Sequence, residues 1–229
     1  MKTNKVKFLS GVAALLISAS SMAQTTMTSS AGKPASVQIR AGVNFQNLNG
    51  EANGDDLENK LLTTFHAGVE VPIMIAPEFY IQPGAIYSMK GAKDEDNSDM
   101  KTQISYIEVP VNFVYKPMLG MGNLILGVGP YMGVAIGGKV KDDNDDVDIT
   151  FKNDLSASEA TEFGLGKPFM RRLDFGGNLL AGYQFSNGLF FQLNAQLGMT
   201  NLLPKIEGET IDNSKVKNTG FGVSVGYAF

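Results

Sequence analysis

Charged residues recur at fixed positions within segments whose residues otherwise alternate between apolar and small or polar. They are Arg40, Glu70, Lys90, Glu108, Lys116, Arg172 and Asp174. In an extended strand, successive side chains point to opposite faces, so these charges share the face opposite the apolar residues. Enclosed together they could form a nearly neutral network of ion pairs, because a buried charge without a partner is costly. Such a network would close an interior and stabilise strand register, or it would provide a path for protons or ions.

His66 is the single histidine of the chain. A Ser-His-Asp hydrolase needs a base that contacts a nucleophile and is held by a carboxylate, and no GxSxG signature accompanies His66. One histidine cannot supply a typical three-ligand catalytic zinc site. The sequence therefore predicts no enzyme and no cofactor, with His66 as a hydrogen-bonded wall residue.

An acidic run contains Asp142, Asn144, Asp146 and Asp148 at alternate positions, the spacing of oxygen ligands in a calcium loop. Val147 stands where an EF-hand requires glycine, and Asn153 stands where it requires glutamate. No metal site is assigned. A solvated loop is expected, with weak Ca²⁺ or Mg²⁺ bridging to lipopolysaccharide as the alternative. The acidic balance, a net charge of −4, also disfavours nucleic acid as a partner.

Eight segments with a period of two must position these residues. Their approximate bounds are 36–46, 63–73, 79–90, 103–116, 123–137, 171–185, 189–199 and 219–229. Each is about long enough to cross a bilayer as a tilted strand. The last segment ends in Tyr227 and Phe229, which resembles the C-terminal signal read by the assembly machinery of bacterial outer-membrane barrels.

The connections between these segments are short and long in strict rotation. The short ones are 74–78, 117–122 and 186–188, and the long ones are 47–62, 91–102, 138–170 and 200–218. Bacterial outer-membrane barrels have short periplasmic turns and long extracellular loops. The pattern predicts an all-β fold, an eight-stranded antiparallel up-and-down transmembrane β-barrel with both termini in the periplasm. Pro110 and Pro130 fall in mid-strand, which predicts local bulges.

Residues 1–23 have the order of a secretory signal peptide: lysines, an apolar run from Phe8 to Ala19, and small residues before Gln24. Residues 24–229 then form one barrel domain. The chain has no cysteine, which excludes disulfides and thiolate metal sites.

A secreted, soluble, lipocalin-like carrier is a second alternative, because a closed eight-stranded barrel can hold a small ligand. In that case the apolar face would point inward. The polar face of this chain is rich in glycine and poor in lysine, unlike the charged exterior of soluble proteins.

Four stretches resemble the PorT-like outer-membrane β-barrel family: 80–88 with 90–93, Tyr106–Phe113, Gly129–Gly133, and Asp174–Gly176 with Ala181–Tyr183. The resemblance implies an eight-stranded barrel and no shared catalytic residues. It also implies a link to secretion or maturation of surface proteins, as in some members.

We therefore expect an integral outer-membrane protein of a Gram-negative bacterium, with a structural, surface-interaction or secretion-accessory role. The expected partners are outer-membrane lipid and lipopolysaccharide, the barrel assembly machinery, and envelope or secretion-complex proteins. The first alternative is a narrow channel for small solutes, because the glycine-rich inner faces of the fifth and eighth segments would leave room for water.

Overall fold

The computed structural model describes residues 37–52, 55–56, 59–95, 100–142, 146–206 and 214–229. The predicted signal peptide lies outside these residues. The eight long strands are β1 (Gln38–Ala52), β2 (Leu62–Glu70), β3 (Phe79–Asp94), β4 (Lys101–Tyr115), β5 (Gly122–Lys141), β6 (Leu173–Phe185), β7 (Leu189–Gly198) and β8 (Lys215–Ala228). Short strands are Asp55–Asp56, Asn59–Lys60, Ile73–Ala76, Met118–Leu119, Asp146–Asp148, Thr150–Phe151, Asp154–Leu155, Phe169–Met170 and Lys205–Ile206. Helix α1 is Ala157–Gly164.

The eight long strands form a closed antiparallel ring. Each pairs with the next along the chain, and β8 pairs with β1 from Gln38↔Ala228 to Glu51↔Lys215. Following the paired residues once around the ring leads to a position about ten residues further along β1, a stagger that requires tilted strands. The predicted eight-stranded up-and-down barrel is confirmed. Closure leaves no long strand with an open edge, so its ladder hydrogen bonds are made within the ring.

The distribution of side chains is the reverse of that in a soluble barrel. Outward positions carry large apolar residues such as Phe65 and Leu193, which are 51% and 58% exposed. Inward positions carry buried polar residues such as Gln46, Gln82 and Asn112. A soluble carrier would bury its apolar face and expose its polar one. The burial pattern therefore excludes the lipocalin-like alternative.

Several strands extend beyond the alternating segments. The strand β1 continues to Ala52, and its Gly50 pairs with Val216 of β8. The strand β5 continues to Lys141 and forms a hairpin with Asp146–Asp148. In these extensions Leu48 and Val140 pack inward, whereas Asn47, Asn49 and Lys139 take the outward positions. The alternation is thus reversed, and the pattern with an apolar outward face ends before the strand does.

The predicted bulges at Pro110 and Pro130 are wrong. Pro110 pairs with Tyr131 and Pro130 pairs with Gly177 in unbroken register. Proline removes a hydrogen-bond donor from the ladder but inserts no extra residue, so the sheet continues through it. The register shift between β4 and β5 lies instead between Ser105 and Tyr106.

The lumen has apolar clusters towards each end and polar residues between them, with further buried polar residues such as Gln38 and Lys116 at one end. At the end that carries the short turns, the short-turn end, the buried cluster is Val114, Ile125, Leu180 and Phe190. At the opposite, long-loop end, two clusters are buried: Leu48, Ala92, Leu202 and Val216, and Ile104, Tyr106, Ala135 and Ile149. Ile149 and Leu202 come from the long connections, and Met170 packs against both clusters. The connections thus close this end of the barrel.

Among the described residues, no helix is both long and apolar enough to cross a membrane.

Candidate functional site

Lys90 lies at the centre of a buried ion-pair group in the polar middle of the lumen. Its Nζ is 2.6 Å from Glu108 Oε1 and 3.1 Å from Asp174 Oδ2. The three side chains are at most 3% exposed. They come from β3, β4 and β6, so the cation links non-adjacent walls of the barrel. We call Lys90, Glu108 and Asp174 the Lys90 triad.

Neutral side chains complete the coordination of the Lys90 triad. Tyr131 Oη donates a hydrogen bond of 3.1 Å to Asp174 Oδ2, and Asn218 Nδ2 donates one of 2.8 Å to the same oxygen. Gln196 Nε2 donates to Glu108 Oε2 at 2.9 Å. Lys90 Nζ also lies 4.2 Å from the Tyr131 ring centroid, within cation–π range. One cation and several neutral donors thus compensate the charge of the two buried carboxylates, and Asp174 Oδ1 is left without a hydrogen-bond partner in the protein.

The other predicted network residues lie apart from the Lys90 triad. Arg40 Nε is 3.0 Å from Glu70 Oε2 in a buried ion pair between β1 and β2. The two groups are not aligned for a hydrogen bond. Lys116 Nζ donates to Gln184 Oε1 at 3.4 Å and makes no ion pair within the described chain. Among the described residues, the interior thus holds two separate ion-pair groups and Lys116, which lies outside both.

The expectation that Arg172 belongs to this network is wrong. Its side chain is exposed at the long-loop end, where its guanidinium lies 5.4 Å from the Phe151 ring centroid. Arg172 has the inward parity of Asp174, but β6 begins only at Leu173. Outside a strand, parity no longer determines the direction of a side chain.

His66 lies in a buried row of hydrogen bonds. Its Nδ1 is 2.7 Å from Asn44 Oδ1, and its Nε2 is 2.7 Å from Ser224 Oγ. The order hydroxyl, imidazole and amide is that of a nucleophile, a base and an orienting group. Arg40 Nη1 lies 3.2 Å from both His66 Nε2 and Ser224 Oγ. Asn44 and Ser224 were not predicted as site residues, although both have the inward parity of their strands.

Ser224 is 1% exposed, and His66 is also buried. The row spans β1, β2 and β8 and joins the seam at which the ring closes. Its geometry is that of satisfied polar groups in a packed interior.

The described part of the acidic run faces lysine rather than a metal site. Asp146 Oδ2 and Asp148 Oδ1 lie 3.4 and 4.0 Å from Lys139 Nζ. Asp142 is exposed, and Asn144 lies outside the described residues. No group of three or more histidine or acidic side chains within the described ranges could hold a metal ion.

The last residues of the chain lie at the short-turn end on the outer surface. The Phe229 N–H donates to Val37 O at 3.0 Å, and the Phe229 ring packs edge-on to Tyr227 with centroids 5.1 Å apart. The ring of Phe229 is otherwise exposed. The terminal aromatic residue therefore contributes little packing to the barrel.

Inward glycines provide space for large side chains rather than for water. A Cβ at Gly226 would overlap the Phe190 ring, one at Gly176 would overlap the Tyr131 ring, and one at Gly220 would overlap the Gln46 amide. The room expected along the eighth segment is thus occupied at Gly220 and Gly226, and in the fifth segment a Cβ at Gly129 would overlap Asn112. Side chains fill the lumen, as in other eight-stranded barrels.

Comparison with known proteins identifies the fold. The sequence profile of an outer membrane protein beta-barrel domain matches residues 22–204. The structure is similar to the attachment invasion locus protein Ail of Yersinia pestis, with 12% identity and a TM-score of 0.41. It is also similar to the Neisserial surface protein A, with 9% identity and a TM-score of 0.45. Each match covers 86% of this chain and 100% of the other. No curated protein matched the sequence.

Proposed function

The chain belongs to the outer membrane protein beta-barrel domain family, and from that premise we propose that it is a closed outer-membrane scaffold. In this function the barrel anchors a folded set of long connections at the cell surface, where they interact with other envelope components. The short turns and both ends of the barrel domain lie in the periplasm, as short turns do in bacterial outer-membrane barrels.

The filled lumen is the observation that carries this proposal. The Lys90 triad occupies the middle, and apolar clusters close both ends. Ions would have to break buried ion pairs and displace packed rings such as Phe190 to pass. An interior of this kind favours a rigid support over a conduit.

Purified protein in a planar bilayer should therefore give no conductance steps. The double variant Phe190→Ala/Tyr131→Ala, which removes two rings that fill the lumen, should give small steps and shows that the assay can detect an open barrel. Folding of both proteins is checked by the mobility shift that heating causes on a gel. Conductance steps that the wild-type protein produces, and whose size changes in the Arg40→Gln variant, would contradict the proposal of a closed scaffold.

A narrow channel is the second candidate, and the neutral amides of the lumen favour it. Buried atoms of Gln46, Gln82, Asn112 and Gln192 have no hydrogen-bond partner in the protein. Buried polar groups without protein partners usually bind ordered water. A connected row of such waters would support conduction in the bilayer experiment, and isolated waters would not.

The resemblance of Tyr106–Phe113 and the other stretches to PorT-like barrels supports a secretion-accessory role with envelope proteins as partners. Crosslinking in intact cells followed by solubilisation and pull-down tests this role. A stoichiometric band that contains other envelope proteins is expected. Recovery of the protein as a lone monomer would leave the scaffold without a partner and would refute the accessory role.

A non-enzymatic role is also part of the proposal. The row Asn44, His66 and Ser224 has hydrolase-like distances, but Ser224 is enclosed by Arg40, His66 and Asn194. A serine-reactive phosphonate should not label the folded protein, and labelling that maps to Ser224 would refute this part.

Replacing Phe229 by alanine, which keeps the backbone hydrogen bond to Val37, should lower the amount of barrel in the outer membrane while leaving its stability nearly unchanged. The ring packs only against Tyr227 among the described aromatic residues, so we expect a loss in the free energy of unfolding of under about 0.5 kcal/mol. Assembly, by contrast, depends on recognition of the terminal aromatic. Membrane fractionation measures the first effect, and urea unfolding of protein refolded in detergent measures the second. A fall in the free energy of unfolding large enough to explain the lower amount of barrel would show that Phe229 acts through stability and not through recognition.

A further inference from the structure

A groove of about 350 Å³ lies outside the lumen, where β6 meets the long connections. Its lining is Asn153, Asp154, Arg171, Leu173, Phe175, Thr200 and Lys205. These residues come from the start of β6 and from the connections on either side of it. The groove thus joins the outer wall of the barrel to the folded long-loop end.

The floor of the groove is apolar and belongs to the membrane-facing surface. Leu173 and Phe175 are exposed outward residues of β6. Their backbone is held to the next connection, because Phe175 N–H donates to Thr200 Oγ1 at 2.9 Å and Met199 N–H donates to Phe175 O at 2.7 Å. An acyl chain lying along β6 would contact this floor directly.

The rim of the groove carries two cations with no ion pair in the described chain, Arg171 and Lys205. Arg171 N–H donates to Leu202 O at 2.7 Å, and its side-chain Nε is buried without a hydrogen-bond partner. Lys205 N–H donates to Asn153 O at 2.9 Å, in the parallel pair that Lys205–Ile206 forms with Asp154–Leu155. Asp154 is the single carboxylate of the lining, so cations outnumber it.

We propose that this groove binds a phosphorylated lipid of the leaflet at the long-loop end. The phosphate lies between Arg171 and Lys205, and an acyl chain lies on Leu173 and Phe175. Guanidinium groups bind phosphate through paired, charge-assisted hydrogen bonds. The identity of the leaflet as the outer one rests on the proposed function, whereas the groove and its ligand chemistry do not.

Lipid binding is measured by native mass spectrometry of the purified protein in an uncharged detergent. The probes are dioleoyl phosphatidic acid and dioleoylglycerol, which differ only in the phosphate. Wild-type protein should bind phosphatidic acid at least about tenfold more tightly than dioleoylglycerol. Arg171→Gln/Lys205→Gln should remove this preference. The matched control is Arg172→Gln, an exposed arginine one position away that does not line the groove, and it should bind as the wild type does.

Equal binding of the two lipids, or full binding of phosphatidic acid by the double variant, would overturn the proposal. Inorganic phosphate that competes as well as phosphatidic acid would replace the lipid by a free anion and would also overturn it.

The leaflet is tested separately with Leu165→Cys, which places a single, exposed thiol beyond α1. Labelling of that thiol in intact cells supports the surface orientation. Labelling only after permeabilisation would refute the orientation and leave the groove intact.

Discussion

Replacing Lys90 by methionine should lower the free energy of unfolding of the barrel by about 3–5 kcal/mol, since the substitution removes one partner of a buried ion pair. Lys90 is the one cation within 4 Å of both Glu108 and Asp174 among the described residues. Methionine retains most of the volume of lysine but cannot compensate two enclosed carboxylates. The effect is measured by urea unfolding of the refolded barrel in detergent, followed by tyrosine fluorescence and by the heat-dependent gel mobility.

Two controls separate charge from packing in this experiment. Lys93→Met makes the same change on the same strand at a position that forms no ion pair in the described chain, and it should lie within about 0.5 kcal/mol of the wild type. The triple variant Lys90→Met/Glu108→Gln/Asp174→Asn removes the carboxylate charges as well. It should recover much of the loss, because a buried ion pair replaced as a whole is often nearly neutral. A triple variant as unstable as Lys90→Met would show that packing around Lys90, and not its charge, stabilises the barrel.

Replacing Leu193 by arginine should cost about 2–4 kcal/mol when the barrel is refolded into bilayers, the range for an arginine facing lipid at the midplane. Leu193 points outward from the middle of β7, between Val223 of β8 and Ala181 of β6. The guanidinium of an arginine at position 193 would have to remain in hydrocarbon or reach a distant interface. Urea titration of the protein in lipid vesicles gives the free energy of unfolding directly.

The position of the arginine along the barrel provides the control. Leu189→Arg lies on the same strand at the short-turn end and should cost about 0–1 kcal/mol, because charges near the interface reach water. Leu165→Arg, which follows α1 outside the barrel wall, should have no effect of measurable size. Equal costs at Leu193 and Leu165 would mean that the outward face of β7 does not contact lipid.

The period-two pattern predicted the approximate positions of the eight long strands and the direction of most charged side chains. Glu70, Lys90, Glu108 and Asp174 are buried and inward, as their parity requires. Parity is a local property, since adjacent residues of a strand face opposite sides whatever the partner strand is. The same reasoning failed for Arg172, because whether a residue lies inside a strand depends on the pairing of that strand.

Which charges meet was not predictable from the pattern. Lys90 contacts Asp174 across the lumen, 84 residues away, because the stagger of the ring places β3 and β6 at the same height. Arg40 contacts Glu70 because β1 and β2 are adjacent. The neutral partners Tyr131, Gln196 and Asn218 carry no charge pattern that would single them out.

The amino-acid sequence by itself determined the fold class, the inverted placement of polar and apolar residues and the long and short ends of the barrel, because each follows from local alternation and connection length. Only the tertiary structure decided that the lumen is filled and that Arg171 and Lys205 share one groove. Those features depend on stagger, on closure of β8 against β1, and on how separate connections fold over one end. Contacts of this kind join residues far apart in the chain, and local alternation carries no information about them.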